Sequence, residues 1–164
     1  MNDYLVLWGS LAAASVVVCL PLSVVRMFKK ETMLGQKIAI GVSVLALLII
    51  AFLPIDEFLF IKFSGIEYIK SFFDNVNNIS FGLSELFPIL CALFFASSIS
   101  MFVSSFYIKG GIIGGVLMLI AVLWLLYEIS SLQIVKIGIG TYLYGLCAIF
   151  NCFTPLFNKI GNKA

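Results

Sequence analysis

The sequence predicts an all-α integral membrane protein, a bundle of five transmembrane helices in which spans two to five form a four-helix core and the first span packs beside them. Three observations predict it. Of the 164 residues, 62% are hydrophobic and 11% charged, whereas a soluble domain is roughly 45–50% apolar and about 25% charged. So much apolar surface exceeds what one small core can bury, and lipid must solvate the rest. Five apolar runs match or approach the roughly 20 residues that a helix needs to cross a hydrocarbon core. The basic residues gather in alternate loops. The length fits a single transmembrane domain over 1–164 and no separate soluble one.

The first run, Tyr4–Val25, has 22 residues. Its leading "MNDY" lacks the basic region of a secretory signal, and the run exceeds a signal's apolar core, so a retained span is expected. The second, Ile38–Leu53, is short, but Met33 and Leu34 extend it, and Pro54 ends it. The third is Leu86–Tyr107. The fourth and fifth, Gly110–Tyr127 and Ile137–Phe157, are separated by "EISSLQIVK".

Orientation follows from "RMFKKETMLGQK". Lysine and arginine in short loops stay on the cytoplasmic side. Placing Arg26, Lys29, Lys30 and Lys37 there puts the amino terminus outside and the carboxyl terminus inside, in a plasma or bacterial inner membrane. Alternation then brings Lys109, Lys159 and Lys163 inside and leaves Lys62, Lys70 and Lys136 outside. Of the acids, only Glu31 falls inside. The cluster is a topological anchor; its other reading is a patch for anionic lipid heads, with roughly 1 kcal/mol per cation.

The outer loop Ile55–Ser84 divides in two. "DEFLFIKF" reads as a strand, a helix or an interfacial coil, which periodicity does not separate. "GIEYIKSFFDNV" sets Ile66, Ile69, Phe73 and Val76 opposite Glu67, Lys70 and Asp74, the pattern of an amphipathic helix at the membrane surface. The loop is rich in aromatics, and Phe60, Phe63, Tyr68, Phe72 and Phe73 are the candidate partner contacts.

Small residues mark the helix seams. Ala92, Ala96, Ser100 and Ser104 form one ridge of the third span, and Ser15, Cys19 and Ser23 another on the first. "GGIIGG" makes two GxxxG pairs, Gly110–Gly114 and Gly111–Gly115. Close packing must replace the hydrophobic drive that lipid removes, and small residues let backbones approach. Asn151 is the polar group at depth that most needs a partner, and a third-span hydroxyl is the expected one. Pro155 removes a donor and frees the carbonyl of Asn151.

Chemistry is constrained by what is missing. Without histidine there is no His-based triad or His-ligated metal. No charged residue lies at the middle of a span, which argues against a proton-driven pump. Cys19, Cys91, Cys147 and Cys152 sit in apolar runs as small hydrophobes. Glu85 and Glu128 read as solvated helix-end charges, and no ligand cluster has metal spacing. No cofactor, nucleic acid or catalytic role is expected.

The topology of spans two to five resembles that of the claudin-like tetraspanners, although the outer loop lacks their Trp-Leu-Trp and paired cysteines. The stretches "ALLIIAFLPIDEFLF" and "FPILCALFFASSIS" are similar to membrane domains of the paraquat-inducible A family. Neither likeness transfers a function. Two classes are expected from the residues. The first is a non-enzymatic protein acting by contact with another membrane component: lipid, another membrane protein or a second copy. The alternative is a small channel or transporter for a neutral or lipidic solute, lined by third-span serines.

Overall fold

The computed structural model describes the backbone of residues 2–58, 61–74, 83–131 and 135–161. Among the described residues, five helices are long and apolar enough to cross a membrane, the fifth counted as Ile139–Lys159 across a one-residue break. In chain order the elements are α1 (Asn2–Met27), α2 (Leu34–Phe52), β1 (Pro54–Phe58), β2 (Ile61–Ser64), α3 (Gly65–Asp74), α4 (Leu83–Phe106), α5 (Gly110–Ser131), β3 (Val135–Ile137), α6 (Ile139–Phe153) and α7 (Pro155–Gly161).

Helices α2, α4, α5 and α6 close a ring in which each packs on two neighbours, and α1 lies outside it, chiefly against α4. The α1 surface is mostly uncovered. An apolar core fills the ring, built on Ile50, Ile55, Leu90, Leu93, Met118, Leu125 and Tyr144. A smaller cluster, Leu5, Ala12, Phe87 and Cys91, joins α1 to α4.

Local chemistry sets the helix ends. Gln36 reaches back from the first turn of α2 and accepts the Met33 N–H at 3.0 Å, satisfying one of the donors a helix start leaves open. Pro54 cannot continue α2, and the chain turns into β1. The fifth span is broken. Its helix starts at Ile139 and ends at Phe153, and α7 restarts at Pro155. The Asn151 carbonyl does not go unsatisfied there: the Thr154 hydroxyl donates to it at 2.7 Å and the Thr154 N–H at 3.2 Å.

The helical content fits the all-α expectation, and one small sheet adds to it. A three-stranded antiparallel sheet of order β2-β1-β3 caps one end of the bundle. Of the readings open for "DEFLFIKF", strand is the one found, in β1 and β2, and part of the loop between spans four and five supplies the third strand. The amphipathic stretch does form a helix, α3, begun by a capping box. Ser64 Oγ accepts the Glu67 N–H at 3.4 Å, and Glu67 Oε2 accepts the Ser64 N–H at 2.6 Å. Those two bonds hold the Glu67 carboxyl below its ordinary range.

The antiparallel helices give the bundle two ends. The cap end holds the start of α1, the sheet and α3. The base end holds the α1–α2 turn, the α4–α5 turn and α7. Asn158 of α7 ties the base together, accepting the Gly35 N–H at 2.8 Å and donating to the Ile108 carbonyl at 3.3 Å. Arg26 lies there over the Phe106 ring, 4.7 Å from its centre.

Candidate functional site

Three features among the described residues combine polar chemistry or open space with burial. The first is a seam through the middle of the ring. Asn151 of α6 is fully buried and donates through Nδ2 to Ser100 of α4 at 2.8 Å and to Ser43 of α2 at 3.0 Å. Ser43 and Ser100 lie 2.8 Å apart, and Ser43 also donates to the Ala39 carbonyl. One amide therefore joins three helices. Asn151 Oδ1 and Ser104 Oγ, both buried, have no partner among the described residues.

The seam closes because α5 carries glycine on two faces. A Cβ at Gly114 would sit 2.7 Å from the Ser100 Cα, and one at Gly110 2.5 Å from the Ser104 Cα, both on α4. A Cβ at Gly111 would meet the Asn151 carbonyl at 2.8 Å, and one at Gly115 the Ala148 carbonyl at 2.8 Å, both on α6. The two GxxxG pairs thus serve two different neighbours within one chain.

Asn151→Leu is expected to be mild despite this position. Ser43 keeps its bond to Ala39, Ser100 keeps Ser43, and intramembrane bonds average about 0.6 kcal/mol. A thermal melt in detergent should move by only a few degrees. Loss of the folded protein would show that the amide is indispensable.

The second feature is the cap. Strand residues paired across an antiparallel ladder share a face. Asp56 pairs with Phe63 and Ile137, and Glu57 with Lys62 and Lys136. Phe63 and Ile137 pack on the apolar core, so Asp56 stands on the inner face. Glu57 and Lys62 form a salt bridge of 3.1 Å on the other face. Asp56 is 1% exposed. Its Oδ2 accepts a hydrogen bond from the Tyr68 hydroxyl of α3, and its Oδ1 has no partner. Burial pushes the Asp56 carboxyl up to about 6 and raises the Tyr68 phenol further, the buried carboxylate beside it adding to that rise. Behind the sheet, the Ile55 carbonyl accepts from Gly138 N–H at 2.7 Å and from the Thr141 hydroxyl at 2.8 Å, fixing β1 to the start of α6.

The third feature is a crevice of about 330 Å³ between α1 and α4 in the half of the bundle nearest the cap. Gly9, Ala12 and Ala13 leave the space on the α1 side, Phe87 and Phe94 wall it on α4, and Ile69 of α3 reaches it from the cap. It is lined by apolar groups.

No family model, curated protein or solved structure matches this chain.

The residues singled out from the sequence fall in different places. Ala96, Ser100, Ser104, Gly111, Gly115 and Asn151 are all buried between helices, and Ala92 is half-buried. Arg26, Lys29, Lys30 and Lys37 gather at the base. Phe63 and Tyr68, expected on an exposed contact surface, turn inward instead. Tyr68 is 5% exposed, and its ring lies 5.4 Å from that of Phe63. Ile66, expected on the apolar side of α3, is exposed. Phe60 lies outside the described residues, and so do the side chains of Phe72 and Phe73. Sequence reasoning missed Asp56, Ser43, Tyr144 and Thr141. For Asp56 alternation gave no usable signal: its neighbour Ile55 is buried as well, and the β1–β2 register shifts between Pro54 and Asp56.

Proposed function

We propose that this chain is a multi-pass membrane protein that works by contact with another membrane component, as a subunit, an accessory or a protective protein, and not by catalysis. The α1–α4 crevice is the observation that carries this reading. It is apolar, it lies along a helix whose surface is mostly uncovered, and it suits an acyl chain or a neighbouring helix. A solute pathway needs polar groups free to meet the solute, often at a broken mid-membrane helix pair. Here Ser43 and Ser100 of the seam are occupied by each other, by Asn151 and by the Ala39 carbonyl. The second reading, a path for a neutral or lipidic solute, draws its support from the unpartnered Asn151 Oδ1 and Ser104 Oγ.

Orientation belongs to the same proposal. Arg26, Lys29, Lys30, Lys37, Lys109 and Lys159 share the base end, and Lys62, Lys70 and Lys136 share the cap end. By the positive-inside bias the base faces the cytoplasm of a plasma or bacterial inner membrane, and the cap faces out.

Two measurements test the function. Purified protein in liposomes is expected to pass neutral solutes no faster than empty vesicles; flux abolished by Ser100→Val would establish the second reading. A photo-crosslinker at Val17, beside the crevice, is expected to trap one discrete membrane component in cells. Ala13→Phe should abolish that adduct, while a crosslinker at Leu123 on the exposed face of α5 should give none. Equal labelling from both positions would overturn the contact reading.

A further inference from the structure

We propose that Asp56 and Tyr68 form a proton-operated latch that holds α3 against the cap sheet, closed when Asp56 carries its proton and loosened when it is ionised. The inference does not depend on whether the protein acts by contact or by permeation.

The geometry is that of a buried acid with no cation to neutralise it among the described residues. Asp56 stands in the central strand, with Phe63 on one side and Ile137 on the other; among the described residues its donors are the Tyr68 hydroxyl and its own backbone N–H. Neighbouring charges are engaged elsewhere. On β1 and β2, Glu57 and Lys62 pair with each other on the outer face. On β3, Lys136 is exposed and stands opposite Glu57. On α3, Glu67 is bound to Ser64 at the helix start and Lys70 is exposed, while the side chains of Asp74 and of Glu85 on α4 lie outside the described residues. The adjoining end of α2, Ile49–Leu53, and the first turns of α6, from Ile139 to Leu143, contain no acid or base. Glu128 of α5 is half-buried at the same end and would add to the negative field, not neutralise it. Ionising Asp56 therefore puts a charge into an apolar setting where burial outweighs the hydrogen bonds it accepts, a costly state unless the carboxylate reaches water.

The direction with pH follows from linkage. A carboxyl held near 6 in the closed cap and near 3.8 when released binds its proton about a hundredfold more tightly in the closed form. Its contribution to closure is complete below about pH 4, declines as the pH rises toward 6, and is absent above. A cap on the outer face would respond to external acidity in this window. The Tyr68 phenol stays protonated throughout, because burial and the neighbouring acid both raise it.

A spin label at the exposed Lys70 position, in the full chain in nanodiscs, reports the hold on α3. The mobile fraction is expected to rise as the pH goes from 4.5 to 7.5 (about a hundredfold in the open-to-closed ratio at most). Asp56→Asn should hold the label immobile at every pH. Tyr68→Phe removes the bond that favours the carboxylate and should move the midpoint upward. Infrared titration of the wild-type protein supplies a readout that does not rely on a variant folding: a protonated-carboxyl band that fades with a midpoint near 6. A label insensitive to pH, the same response in Asp56→Asn, or a carboxyl titrating entirely near 4 would each overturn the latch.

Discussion

Gly114→Leu is expected to abolish the folded bundle. The new Cβ would lie 2.1 Å from Ser100 Oγ and 2.7 Å from the Ser100 Cα, and a main-chain atom cannot move aside as a side-chain tip can. Helix α4 would have to retreat from α5, breaking the contact on which the Ser43–Ser100–Asn151 bonds depend. Ordinary overpacking costs roughly 1–3 kcal/mol, and a clash with backbone at a three-helix seam falls beyond that range. Gly111→Leu should act the same way from the other side, against Thr154 and the Asn151 carbonyl. At Gly41 and Gly145 a Cβ would meet nothing within 4 Å, so leucine there is expected to be tolerated and to add up to about 1 kcal/mol of helix propensity. Monodisperse yield and melting temperature in detergent, compared across the four variants, separate the two classes. Equal behaviour of Gly114→Leu and Gly41→Leu would refute the helix packing.

Tyr144→Ala carries the second large effect. The ring is fully buried between α6 and α4, and its hydroxyl donates to the Leu93 carbonyl at 3.0 Å while meeting Ser97 Oγ at the same distance. Truncation empties the space of a whole ring, for which the cost is about 3–5 kcal/mol. Tyr144→Phe keeps the ring and loses only the hydroxyl. Ser97 still reaches the Leu93 carbonyl at 3.0 Å, so about 1 kcal/mol is expected. A double-mutant cycle with Ser97→Ala should give a coupling of the same order, since the two hydroxyls share one acceptor. A Phe variant as damaged as the Ala variant would place the stability in the hydrogen bond instead of the ring.

These effects show where sequence and structure part. The two GxxxG pairs and the ridge from Ala92 to Ser104 were legible, because small residues at fourfold spacing announce close approach. Their partners were not. Periodicity says that Gly110 and Gly111 point in different directions, and nothing in it says that one meets α4 and the other α6. Asn151 was legible as a group in need of a hydroxyl, and Ser100 of the third span is one such partner. Ser43 of α2, the other, sits 108 residues away and carries no mark of its own.

The outer loop parted further. Its charges and aromatics suggested a working surface, yet Phe63 and Tyr68 pack inward, and one of its acids, Asp56, is the most buried charge of the cap among the described residues. The cause is pairing. Once β1 lies between β2 and β3, register alone sends Asp56 inward and Glu57 outward, and a one-residue slip would exchange them.

By itself the sequence determined the properties that scale with composition and length: five helices able to cross a membrane, the helical stretch after Gly65, and the loops in which charge collects. Each depends on residues close together in the chain, where apolar runs and backbone hydrogen bonds act locally. The tertiary structure alone decided which faces of those helices meet, that strands from two distant loops build one sheet, and that Asp56 lies on the inner face of that sheet. Contacts between segments so far apart depend on how whole helices pack, which no local pattern records.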